Sequence, residues 1–71
     1  MIFNTEIIRP KDYCLADYIR ATESLRNKTV EVTKTTGEVI VGTIVDIAGL
    51  GIIYVNGRKL NPRIVKTIRA L

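Results

Sequence analysis

The feature that most restricts the fold of this chain is the segment Glu38 to Ala48, which is apolar at both parities. Val39, Val41, Val45 and Ile47 fall on one face of an extended chain, and Ile40, Ile44 and Ala48 fall on the other. Side chains alternate between faces with period two in a strand, so such a run predicts one long strand covered on both sides. Gly42 sits near its middle and predicts a bend there, where no Cβ resists curvature. A strand of this kind suits a small barrel, in which one strand curls from one sheet edge to the other.

The remaining elements arrange themselves around that strand. Ile2, Phe3, Ile7 and Ile8 flank a polar centre and Pro10 ends any regular element, which predicts an extended arm laid on the body. From Asp12, a candidate cap, the spacing becomes helical. Cys14, Tyr18, Ala21 and Leu25 share a face that Leu15 and Ile19 widen, with Asp17, Arg20 and Glu23 opposite, giving a helix of about three turns. Val30 and Val32 then alternate with polar residues as a half-buried strand, and Thr35, Thr36 and Gly37 supply a turn. After the long strand, Gly49-Leu50-Gly51 permits a reversal into Ile52 to Val55. Asn56-Gly57 is a strong hairpin signal, because a type I′ turn needs positive φ at both positions. Arg58 to Leu60, a tight turn at Asn61-Pro62 and Ile64 to Ile68 complete the chain. The expected fold is mostly β (α+β), an N-terminal helix followed by five antiparallel strands in meander order, with residues 1–71 forming a single domain. At 71 residues there is too little core to divide.

The residue inventory argues against an enzyme. There is no histidine, and the single cysteine, Cys14, has no partner for a disulfide or a zinc site. Placed on the helical apolar stripe, Cys14 is expected to be a small buried hydrophobe. Asp12, Asp17, Glu23, Glu31, Glu38 and Asp46 are spaced as surface or capping residues rather than as a converging acid–base pair. Gly49-Leu50-Gly51 is followed by a β-branched run instead of a helix start, so it reads as a turn and not as a phosphate loop. Asp46 is expected to bond local backbone. Tyr13 and Tyr18 are expected to be partly buried with wet hydroxyls. No cofactor and no metal are expected.

Charge supplies the positive indication. The formal net charge is +4, and residues 25–71 carry eight basic and three acidic side chains, against three and four in residues 1–24. From Asn56 onward there are five cations, Arg58, Lys59, Arg63, Lys66 and Arg69, and no acid, a field suited to phosphate or to an acidic protein surface. Tyr54 is the one aromatic placed to stack on a base. The amino terminus does not resemble a secretory signal, and no apolar run approaches the roughly 20 residues of a membrane helix, so a cytoplasmic location with no membrane partner is expected.

Gly37-Glu38-Val39-Ile40-Val41-Gly42-Thr43-Ile44 resembles the first Sm motif, with its turn glycine, apolar strand and second glycine. Leu25 to Val32 resembles the helix exit and first strand of Sm-like proteins. In layout the chain is nearest to the Rof family, bacterial antiterminators that bind the termination factor Rho, through Pro10, Cys14, Asp17-Tyr18-Ile19, Ala21, Gly37-Glu38 and Asp46-Ile47. The resemblance implies an SH3-like or Sm-like five-stranded barrel that regulates gene expression. Two functions follow as expectations. One is RNA binding by phosphate contacts of Arg58, Lys59, Arg63, Lys66 and Arg69 with Tyr54. The other is docking of a regulatory protein such as Rho without direct RNA contact, through the helix or a strand edge. A homo-oligomer joined edge to edge is also expected, because a barrel this small leaves strand edges to cover.

Overall fold

The computed structural model describes residues 7–71. Ile2 and Phe3 of the expected arm lie outside the described residues. The elements are β1 (Ile7–Ile8), α1 (Leu15–Glu23), β2 (Thr29–Lys34), β3 (Val39–Ala48), β4 (Ile52–Val55), β5 (Arg58–Leu60) and β6 (Val65–Ala70). Tight 3-10 turns occupy Pro10–Asp12, Gly49–Gly51 and Pro62–Ile64. All pairings are antiparallel and form one sheet in the order β1-β6-β2-β3-β4-β5. The fold is therefore mostly β with one helix. It has six strands rather than five, because the end of the arm pairs with β6 (Ile7 opposite Arg69, Ile8 opposite Ile68), and it departs from a meander, because β6 returns to pair with β2 instead of β5. Its pairings describe an open sheet, with β1 and β5 at the edges.

The long strand β3 changes partner along its length. Residues 39–43 pair with β2 and residues 44–48 pair with β4. The changeover is marked by a bulge at Val45, where the register steps from Ile44 opposite Val55 to Asp46 opposite Tyr54. One extra residue exchanges the two faces. Hence Ile40 and Ile44 point into the core before the bulge, whereas after it Ile47 packs on the core and Asp46 is exposed. Gly42 is not where the register breaks. It holds regular register opposite Val30, and a Cβ there would overlap the side-chain amide of Asn56. That amide crosses over the glycine to donate from Nδ2 to the Val41 carbonyl at 2.8 Å. Nor is β3 covered on both sides, since Val39, Val41 and Val45 are each about half exposed.

Val30, Val32, Ile44, Ile53, Val55 and Ile68 are fully buried and form the centre of the core, joined by Ile8, Tyr18, Leu25, Ile40, Leu60 and Val65. Each such side chain contributes roughly 1.5–3 kcal/mol through removal of apolar area from water. The helix closes one end of this core with Tyr18 and Thr22, followed by Leu25 just beyond its last turn. It starts later than the sequence suggests. Asp12 belongs to the preceding 3-10 turn and Cys14 is the N-cap residue, which turns the thiol out of the apolar stripe and leaves it exposed. Tyr18 departs in the other direction. It is 1% exposed, and its hydroxyl has no hydrogen-bond partner among the described residues.

The hairpin signal holds: Asn56 and Gly57 have φ of 52° and 76°, and Val55 faces Arg58 across the turn. Gly49–Gly51 is likewise a turn between strands. Among the described residues no helix is long and apolar enough to cross a membrane.

Candidate nucleic-acid interface

The cations of the C-terminal third do not form one face. Arg58 is bound to Glu38 at 3.0 Å, and Glu38 also meets Lys34 at 3.1 Å. These two cations hold the Glu38 carboxyl below the usual carboxylate range, first through the Lys34 hydrogen bond and then through Arg58. Arg69 is bound to its cross-strand neighbour Glu31 at 3.0 Å. Lys59 sits opposite Tyr54 on the β4–β5 hairpin. Arg63 and Lys66, with no acid partner among the described residues, lie elsewhere, in a groove shared with Arg9 and Lys11.

This groove, about 720 Å³ in volume, runs between the Pro10–Asp12 turn on one side and the Pro62–Ile64 turn and start of β6 on the other. Each cation has a local reason for its place. Ile8, buried against β6, fixes the chain just before Arg9, and Pro10 starts a 3-10 turn closed by Asp12 N–H donating to the Arg9 carbonyl at 2.9 Å. Arg63 is held from its backbone, whose N–H donates to Asn61 Oδ1 at 2.9 Å. The Pro62–Ile64 turn is tied down in turn by Thr35 N–H donating to the Ile64 carbonyl at 2.8 Å. Lys66 is the extra residue of a second bulge, where Thr33 faces Thr67 but Lys34 faces Val65. Bulges of this kind re-aim a side chain out of the sheet's alternation.

Thr35 and Thr67 also line the groove, and Asp12 is its one acid among the described residues. No aromatic among the described residues lines it. Four cations with two hydroxyl-bearing residues supply donors suited to phosphate oxygens, while base stacking has no partner among the described lining residues. Of the residues expected from sequence to bind nucleic acid, the groove therefore brings together Arg63 and Lys66. Arg58 and Arg69 are engaged by acids, and Tyr54 and Lys59 form a separate cross-strand pair. Arg9 and Lys11 were not singled out by sequence, since they belong to the third of the chain in which acids outnumber cations by four to three.

Asp46 performs the local backbone role expected of it, accepting from Ile47 N–H at 2.8 Å, and it stands 3.7 Å from Arg26. Among the described residues no group of three or more His, Cys, Asp or Glu side chains could hold a metal ion. Comparison with protein-family models, with curated proteins and with solved structures gives no match.

Proposed function

We propose that this chain is a small, non-enzymatic module that binds RNA through backbone phosphates in the groove of Arg9, Lys11, Arg63 and Lys66, and that it acts in the cytoplasm as a regulator of gene expression. The observation that carries this reading is the convergence of four cations, none paired with an acid among the described residues, from two distant parts of the chain. Placing like charges together costs free energy unless an anion joins them. The SH3-like or Sm-like barrel belongs to the same proposal. A strand that changes partner at a bulge, followed by a type I′ hairpin and a 3-10 turn, suits a sheet curling toward closure. The resemblance to Sm-like and Rof proteins supports a role in regulation.

The test is a titration of a mixed-sequence single-stranded RNA at several salt concentrations. Four phosphate contacts give a slope of log affinity against log salt of about −3. Arg63→Glu with Lys66→Glu should abolish binding while leaving the melting transition in place. Absence of binding by the parent chain at low salt would reject the reading. The second reading, docking of a regulatory protein such as Rho, draws on the half-exposed Val39, Val41 and Val45 along β3, an apolar strip on the outside of the sheet.

A further inference from the structure

Half of the groove's charge arrives on the short segment that joins β1 to α1. Strand β1 is two residues long, pairs with β6 and, among the described residues, seats the side chain of Ile8 in the core, where it is 1% exposed. Immediately after it come Arg9 and Lys11, kept together by the 3-10 turn that joins the Arg9 carbonyl to the Asp12 amide. Across the groove stand Arg63 and Lys66 on a turn and bulge fixed to the main sheet. With Asp12 as the one acid among the described lining residues, docking of the arm brings two cations against two others. Like charges oppose that docking, and a phosphate chain between them reverses the sign of the interaction.

We propose that Ile8 is a positioning residue for RNA binding and that docking of the Ile7–Asp12 arm and binding of the RNA backbone are thermodynamically linked, each strengthening the other. The proposal rests on the function proposed above and deepens it by naming how the site is regulated. By reciprocity, RNA must hold the arm down by the same factor as the docked arm raises RNA affinity.

Amide hydrogen exchange of Ile7 and Ile8, normalised to Val32 in the centre of the sheet, measures docking without any ligand. In the parent chain it should slow several-fold when salt is raised from about 10 to about 300 mM, because screening removes the repulsion. At low salt it should slow likewise in Arg63→Ala/Lys66→Ala. Adding mixed-sequence RNA should also slow it in the parent. In the salt titration, Arg9→Ala/Lys11→Ala should bring the slope to about −1.4, as expected for two remaining contacts. Ile8→Ala should show that same slope while its Arg9 and Lys11 are intact. Both variants are checked for a cooperative melt; if Ile8→Ala does not fold, Ile8→Val takes its place, with a slope between the parental value and about −1.4 expected and a parental slope overturning the role of Ile8.

Exchange that ignores both salt and the Arg63/Lys66 pair would overturn electrostatic control of the arm. A parental slope in Arg9→Ala/Lys11→Ala, or in a folded Ile8→Ala, would overturn the role of the arm in binding. A parent chain with no RNA affinity overturns the proposed function and the RNA half of the linkage. The salt dependence of exchange still decides the other half.

Discussion

Gly42 and Asn56 are best understood as one unit. The amide of Asn56 occupies the space that a β-carbon at Gly42 would need, and it binds the Val41 carbonyl from there. Gly42→Ala should therefore cost about 1–3 kcal/mol by overpacking and loss of that bond. Adding Asn56→Gly, which suits a turn position of positive φ, should recover part of the loss. Denaturant melts of the two single variants and the double would show this as a non-additive cycle; simple additivity would count against the contact. Tyr18 poses a different question, because its hydroxyl is buried with no partner among the described residues and burial pushes its pKa from 10.0 up to about 12. Tyr18→Phe removes an unsatisfied group and should be neutral or stabilising by up to about 1 kcal/mol. The phenol is neutral in both states below pH 10, so its contribution is intact there. Between pH 10 and 12 the unfolded chain ionises first, and stability falls by up to about 3 kcal/mol. Thermal melts across that range should show the fall in the parent and a smaller one in Tyr18→Phe.

At the scale of elements, helix α1 and the Gly49–Gly51 turn depend on each other. Gly51 is buried with φ of 77°, and a Cβ there would stand 3.0 Å from the Tyr18 ring and 3.2 Å from Leu15. Gly51→Ala combines left-handed backbone strain with an overfilled contact and should cost about 2 kcal/mol or more, read from the denaturation midpoint. The strands and the helix were legible in the sequence where local chemistry dictates a conformation. Asn56-Gly57 demands two positive φ values, and Val30 and Val32 declare a period of two. The bulge at Val45 was not legible, because β3 is apolar at both parities and a valine gives no sign of which face it takes. Gly42 reads as a bend from its missing side chain, yet that space also answers a residue fourteen positions later in the chain. Cys14 was misplaced because the helical stripe was extended one turn past the point where the 3-10 turn at Pro10 lets the helix begin.

For the whole molecule, what matters is which charges are left without a partner. Sequence counting treats Arg58, Lys59, Arg63, Lys66 and Arg69 alike, yet pairing with Glu38 and Glu31 takes two of them out of contention. Arg63 and Lys66 could be read as candidates from sequence. Their groove could not, since Arg9 and Lys11 reach it only through the pairing of β1 with β6, a contact spanning nearly the whole chain. Arg63→Ala and Lys66→Ala should each weaken RNA binding several-fold at low salt, whereas Arg58→Ala and Arg69→Ala should change it less than about twofold. Anisotropy titrations of the four variants under one buffer would separate the groove from a diffuse basic surface. Equal losses in all four would favour the diffuse surface.

The bulge in β3 also bears on how this chain tolerates change. Its two halves are read in different frames, even positions facing inward before Val45 and odd positions after it. Replacing Val45 alters one exposed side chain. Deleting it would leave Ile44, Asp46 and Ile47 consecutive opposite Val55, Tyr54 and Ile53, a regular ladder with the carboxylate still outward and Ile47 still inward. Inherited loss of one residue should accordingly be borne at Val45 and not at Val41 or Thr43, where the ladder is regular and a deletion exchanges the two faces.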